Sequence, residues 1–318
     1  MKGGIIDVST ITLSAGAHTS PEQGMCIMEA VAWMARLPFS DQPTCTSPLI
    51  GALLRPFNDR LKTNAERNRL LMPLIPLLIG TNTTSADETT RAYMAADWLI
   101  RQRAPAFLRV AGFTADAEVL ENLARIVDAA TARSATPVAR EIRDRMWTTR
   151  TERWSALRAK LLKTFPADAS AAIDASAASA AIAASAASAA IDASDASAAI
   201  AASAASAASA AIDASDASAA SAAIDAIAAS AAIDGPQSVH ADALRAALAA
   251  SQNTKGGSWT KQDAAYKAAR EVYDARLGEW PLVTELKAEA ARQNEKFVEL
   301  IRALCAVGRV AAEMEVVS

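Results

Sequence analysis

The sequence predicts an all-α protein, and three observations lead to this prediction. Outside residues 168–233, apolar residues recur at helical spacing, and proline or glycine stands at the boundaries of the segments. Alanine, the residue with the highest helix propensity, dominates residues 168–233. Strand-like alternation is confined to residues 5–13, which predict a short strand or an extended arm.

The predicted helices follow from their start and stop signals. The first spans residues 20–37; its Ser-Pro pair supplies the cap and the first helical position, and Gln23 completes a capping-box pattern. A second Ser-Pro pair at residues 47–48 begins the next helix, in which Pro56 predicts a kink. Further helices are predicted at residues 64–79, 86–103, 105–112, 115–133, 138–163, 239–252, 260–277 and 281–307.

Residues 168–233 consist of 22 triplets with Asp or Ala first, Ala second, and Ser or Ile third. The tract holds 37 Ala, 14 Ser, 8 Ile and 7 Asp, a composition that favours an α-helix. Because three residues advance about 300° around an α-helix, the isoleucines form no fixed apolar stripe, which argues against a heptad coiled coil. A 3-10 or polyproline-II rod and a disordered spacer stay open as alternatives.

The tract divides the chain into three predicted regions. Residues 1–166 form a helical domain, residues 167–235 contain the repeat, and residues 236–318 form a C-terminal helical region that docks back.

Overall composition excludes several classes of protein. A net charge of −3 indicates no polyanionic partner for the whole chain, and three cysteines are an odd number that argues against a disulfide framework. No apolar run reaches the about 18 residues of a membrane span, and the N-terminus lacks a signal-peptide pattern. We therefore expect a soluble, cytoplasmic protein with no membrane partner.

The stretch AGAHTSPEQGMCIMEAVAWMARLPFSDQPTCTSP carries the candidate functional side chains. His18 is one of only two histidines and is predicted to lie in a loop. Cys26 falls in the first turns of the predicted helix with Glu29 one turn later, and Asp41 and Cys45 lie in the loop that follows.

The motifs AGxH, GxCxMEAV, PFSDxPxC and SP in this stretch resemble those of an uncharacterised group of actinobacterial and actinophage helical proteins. The segments NDRL, MAADWLIR and LIRALCAVG are similar to the same group, so that the resemblance covers residues 10–150 and 270–310. It implies an all-α fold of unknown activity and no mechanism.

One hypothesis for this stretch is a metal site. Neutral imidazole and thiolates are preferred zinc ligands, and loops flanking a helix start can bring His18, Cys26 and Cys45 together, with Asp41 as fourth ligand. The chain contains no C-x-x-C or H-x-x-x-H pair, which would be the stronger zinc signal.

Two alternatives stay open for the same residues. Cys26 at a helix start is similar to the nucleophile of papain-like thiol enzymes, with His18 or the distant His240 as base. Simple packing is favoured over both chemistries: Cys26 and Cys45 would then be small buried residues and His18 a loop residue.

The predicted helix at residues 138–163 carries eight basic residues against three acidic ones, with Trp147 and Trp154 seven positions apart. This pattern is compatible with a nucleic-acid surface. A solvated amphipathic helix with a tryptophan stripe explains it equally well, so a nucleic-acid partner is not expected.

These observations favour an interaction or structural protein of phage or mobile-element type, with a protein partner or self-association, over an enzyme. The alternatives are a metal-dependent or thiol hydrolase that uses His18, Cys26 and Cys45, and a nucleic-acid-binding protein that uses residues 138–163.

Overall fold

The computed structural model describes residues 11–164, isolated positions between 242 and 275, and residues 281–309. The described residues are 74% helical and contain no strand, which confirms the all-α prediction. Within the described residues, the predicted strand is represented by one isolated parallel bridge between Leu13 and Met25. The predictions that lie wholly or largely outside the described residues are the strand at 5–13, of which only 11–13 are described, the repeat tract, and the helices at 239–252 and 260–277.

The described α-helices are numbered in chain order. They are α1 Ile27–Met34, α2 Pro48–Arg60, α3 Asn64–Leu71, α4 Ile75–Leu78, α5 Ser85–Trp98, α6 Ala104–Val110, α7 Thr114–Glu121, α8 Ala129–Thr164 and α9 Pro281–Ala306. Short 3-10 turns occur at Pro21–Gln23 and Met72–Leu74, and a π-helical segment, Leu99–Arg103, joins α5 to α6.

The predicted start of the first helix is wrong. Residues 21–23 form only a 3-10 turn, and the Ser20 side chain makes no capping hydrogen bond. Gly24, with a φ of 125°, then turns the chain in a conformation that side chains with a Cβ rarely adopt. The capping box forms at Cys26 and Glu29 instead, so α1 begins at Ile27.

Other predicted boundaries also differ from the structure. The helix predicted at residues 115–133 is divided, because α7 ends at Glu121 and the Asp128 carboxylate accepts the Thr131 N–H at 2.8 Å, which starts α8. Pro137, expected to precede a helix, therefore lies inside α8. The helix α2 also continues through Pro56 to Arg60.

The C-terminal helix α9 packs against the N-terminal helices. It contacts α2, α3, α4, α5 and α6. The Phe297 ring lies 4.3 Å from the Phe57 ring and 5.8 Å from the Trp98 ring, measured between centroids. Such aromatic contacts stabilise the core beyond the effect of buried area alone.

A buried arginine joins α5 to the end of α9. Arg91 is fully buried and donates from Nε to the Leu304 carbonyl at 3.1 Å and from Nη2 to the Val307 carbonyl at 2.8 Å. The last carbonyls of a helix have no partner within the helix, and Arg91 supplies charged donors to two carbonyls at the end of α9. Among the described helices, none combines the length and apolar character needed to cross a bilayer.

Candidate functional site

The residues before α1 form a loop that tertiary contacts hold against the start of the helix. The Ser14 N–H donates to the Met25 carbonyl at 2.9 Å. Asn58 of α2 is fully buried; its Nδ2 donates to the Ser14 carbonyl at 2.9 Å, and its Oδ1 accepts the Ile27 N–H at 3.2 Å. One amide thus positions both Ser14 and the first turn of α1.

Ser14 and His18 of this loop form a continuous chain of side-chain hydrogen bonds with Glu29 of α1. The Ser14 Oγ lies 3.0 Å from His18 Nε2, and His18 Nδ1 lies 2.8 Å from Glu29 Oε2. A carboxylate can only accept, so in the neutral imidazole the proton is on Nδ1 and Nε2 is free to accept the Ser14 hydroxyl proton. This is the arrangement of a nucleophile, a base and a group that orients the base.

Glu29 is the anchor of the arrangement. Its side chain is 2% exposed and also accepts the His18 N–H at 2.8 Å and the Cys26 N–H at 2.7 Å. Burial acts to raise the pKa of Glu29, but the hydrogen bonds from His18 and Cys26 outweigh it and hold that pKa below its ordinary value. The carboxylate is therefore ionised at neutral pH.

Gly24 passes directly over the hydrogen bond between Ser14 and His18. A Cβ at this position would lie 2.6 Å from Ser14 Oγ and 2.9 Å from His18 Nε2. Only glycine therefore fits without displacing the pair. Ser14 itself remains half-buried rather than enclosed.

Cys26 is a structural residue in this arrangement. Its Sγ accepts the Glu29 N–H at 3.5 Å, and the residue is 4% exposed. Burial raises the pKa of the Cys26 thiol to about 12, so it is not ionised at neutral pH. The geometry and the pKa both argue against the thiol-nucleophile alternative, and His240 lies outside the described residues.

Asp41 and Cys45 lie in the loop before α2 and have other neighbours. The Asp41 carbonyl accepts a hydrogen bond from Arg55 at 3.3 Å. Cys45 packs against the hydrophobic core, its Sγ lies 3.8 Å from the Thr46 hydroxyl, and its carbonyl accepts the Gly80 N–H at 2.9 Å. These contacts attach the loop to α2 and to the chain after α4.

The structure thus brings His18 and Cys26 together around Glu29 but does not assemble the four predicted metal ligands. Across the described ranges, no three His, Cys, Asp or Glu side chains form a group that could hold a metal ion. His18 Nδ1 is bonded to Glu29, and Cys26 Sγ accepts the Glu29 N–H as the cap of α1. The zinc hypothesis for His18, Cys26, Asp41 and Cys45 gains no geometric support.

The basic helix is partly neutralised within the chain. In α8, Arg145 contacts Asp116 at 2.7 Å and Glu141 at 3.4 Å, and Arg143 contacts Asp144 at 2.7 Å. These pairs agree with a solvated helix face. The side chains of Trp147 and Trp154 lie outside the described ones.

Sequence reasoning missed Ser14 as a functional candidate and noted Glu29 only as a neighbour of Cys26. A serine four residues before a histidine predicts a contact only inside a helix, and this pair lies in a loop. The capping box of Cys26 and Glu29 is the one local sequence signal that could have pointed to Glu29 as part of this site.

No protein-family model matches the chain, and no curated protein or solved structure matches it either. The arrangement of the side chains is therefore the basis for any functional conclusion.

Proposed function

We propose that this protein is a serine-dependent hydrolase in which Ser14 is the nucleophile, His18 the base and Glu29 the residue that orients the base. The single observation that carries the proposal is the hydrogen-bonded chain, with 3.0 Å between Ser14 Oγ and His18 Nε2 and 2.8 Å between His18 Nδ1 and Glu29 Oε2. Such a set is recognised by geometry and by roles, not by its position in the sequence.

The proposed reaction is acyl transfer from an ester to water. His18 Nε2 takes the hydroxyl proton as Ser14 Oγ attacks the acyl carbon, and it then returns that proton to the departing alcohol. Water hydrolyses the acyl-serine with His18 again as base. Glu29 would stabilise the imidazolium formed in both steps, and its lowered pKa keeps it ionised for that role.

The way in which Glu29 holds His18 in place also supports the proposal. His18 is held from both sides, because its ring and its backbone N–H each bind one oxygen of Glu29. The imidazole therefore cannot turn away from Ser14 without breaking its hydrogen bond to a buried carboxylate, and the backbone N–H bond holds the His18 main chain beside that carboxylate. A base fixed in this way needs little reorganisation before proton transfer.

The test combines covalent labelling with ester hydrolysis by the full-length chain. A fluorophosphonate probe should modify Ser14, identified by peptide mass mapping, and p-nitrophenyl acetate should be hydrolysed. Ser14→Ala should abolish labelling and lower the rate by about 100-fold or more, the usual contribution of an activated nucleophile and its base.

Ser20→Ala is the matched control, because Ser20 lies in the same segment and makes no capping hydrogen bond. It should leave labelling and rate unchanged. Hydrolysis by Ser14→Ala at the wild-type rate, or a probe adduct on another residue only, would refute the proposal. The interaction-protein alternative stays a prediction from the sequence, since no comparable arrangement of described side chains supports it.

A further inference from the structure

A second candidate site, among residues different from those of the proposed triad, is a cavity of about 280 Å³ at the start of α2. It is bordered by α1, by the loop before α2, by the first turns of α2 and by the segment after α4. Because sites for drug-sized ligands have volumes of about 300–1,000 Å³, this cavity fits a smaller molecule. Its uncharged polar lining residues are Gln42, Thr44, Thr46, Ser47 and Asn82.

Arg55 is the one charged residue among those described as lining this cavity. It is half-buried, and its Nη1 donates to the Asp41 carbonyl at 3.3 Å. Within the described part of the chain, Arg55 forms no ion pair and no further hydrogen bond. By contrast, Arg101, Arg109 and Arg292 are each paired with a carboxylate of the protein. A guanidinium carries five N–H donors, so most of those of Arg55 are left for water or a ligand.

Gly51, one turn before Arg55 on α2, lets the guanidinium lie close to the helix backbone. A Cβ at residue 51 would lie 3.2 Å from Arg55 Nη1 and 3.4 Å from Met28 Cε. The first of these distances is shorter than an ordinary van der Waals contact, so even alanine would push the guanidinium from its position. Glycine destabilises a helix interior relative to alanine. Its presence here keeps the Arg55 guanidinium in the wall of the cavity.

We infer that this cavity binds a small monocarboxylate, which Arg55 recognises. A guanidinium presents parallel N–H donors that match the two oxygens of a planar carboxylate. Burial of an ion is costly unless its charge is balanced, and the lining offers a single positive charge and no carboxylate. The charge of the lining therefore favours a carboxylate over a doubly charged phosphate ester. Met28 and Pro43 supply apolar surface for the organic group of the ligand.

The experiment is a titration of the full-length protein with benzoate, followed by saturation-transfer difference NMR at constant ionic strength near pH 7.5. Benzoate should bind saturably. Benzamide, which has nearly the same shape but no charge, should bind at least about tenfold more weakly, and phenyl phosphate should bind no more tightly than benzoate.

Arg55→Met should weaken benzoate binding by about tenfold or more, the effect of losing a charge-assisted hydrogen bond. Arg55→Lys retains the charge without the planar donor pair, so its affinity should lie between those of the wild type and Arg55→Met. This second variant decides the question if Arg55→Met does not fold, which circular dichroism would show.

Arg69→Met is the matched control, because the Arg69 side chain is 61% exposed and does not line the cavity. It should change the dissociation constant for benzoate by less than about twofold. Absence of saturable benzoate binding would overturn the inference. Benzamide binding as tight as that of benzoate, tighter binding of phenyl phosphate, or equal effects of the substitutions at Arg55 and Arg69 would also overturn it.

Discussion

Replacing Glu29 with glutamine changes one atom of the buried carboxylate and leaves its shape intact. In the wild-type protein, Oε2 accepts from His18 Nδ1 and from the Cys26 N–H, while Oε1 accepts from the His18 N–H. Glutamine has one acceptor oxygen. In its best orientation the oxygen replaces Oε2, and the amide NH₂ group then faces the His18 N–H, donor against donor.

The expected cost follows from these contacts. Glu29→Gln removes one hydrogen bond to an ionised acceptor and leaves two donors opposed at a side chain that is 2% exposed. Losses of this kind lower the free energy of unfolding by about 2–4 kcal/mol. For an m-value of about 2 kcal/mol/M, the urea midpoint at pH 7 should fall by about 1–2 M.

The pH dependence gives a sharper measurement. Because the folded-state pKa of Glu29 lies below its ordinary value of 4.5, the ionised carboxylate contributes stability that is complete above pH 4.5. This contribution is lost as the pH falls through the folded-state pKa. The difference between wild type and Glu29→Gln should therefore be largest at neutral pH and shrink below pH 4.5.

Urea unfolding followed by circular dichroism, at pH 7 and at about pH 3, measures both effects. Glu141→Gln is the control, since the Glu141 side chain is 74% exposed and contacts Arg145 only at 3.4 Å; it should change stability by less than about 0.5 kcal/mol. A Glu29→Gln difference that stays constant across this pH range, or that is no larger than the control, would refute the reasoning.

Three further predictions concern the same fold and the repeat. Gly24→Ala should lower the free energy of unfolding by about 2–4 kcal/mol, because the new Cβ would lie 2.6 Å from the Ser14 hydroxyl oxygen. The control Gly80→Ala, also at positive φ but with nothing within 4 Å of the new Cβ, should cost only about 1 kcal/mol. Equal decreases in melting temperature for the two variants would contradict this prediction. Arg91→Met should cost about 3–5 kcal/mol in urea unfolding, because two hydrogen bonds from a charged donor to the end of α9 are lost. Arg69→Met, at a side chain 61% exposed, should be near neutral, and similar midpoints for the two variants would contradict the assigned role of Arg91. A peptide of residues 168–233 should give an α-helical circular dichroism spectrum in the cold and melt gradually, and a polyproline-II spectrum would contradict the helical prediction.

Sequence reasoning predicted the elements whose signals are satisfied within a few residues. The Ser-Pro pair at residues 47–48 correctly marks the start of α2, where Ser47 Oγ accepts the Ile50 N–H at 3.2 Å. The same pattern at residues 20–21 does not begin a helix, since Gly24 and the capping box of Cys26 and Glu29 place the start later. The sequence therefore contains two helix-start signals close together, and local preference alone does not determine which of them begins the helix.

The sequence by itself determined the helical class and most of the helix positions, because spacing, proline and capping act over one or two turns. Only the tertiary structure decided which side chains meet at the candidate site. Ser14 reaches His18 because Asn58, 44 residues away, holds the loop against α1, and Glu29 binds His18 because α1 begins at Ile27. Cys26 and Cys45, which the sequence had grouped, have different partners: Cys26 caps α1 through the Glu29 N–H, and the Cys45 carbonyl accepts the Gly80 N–H.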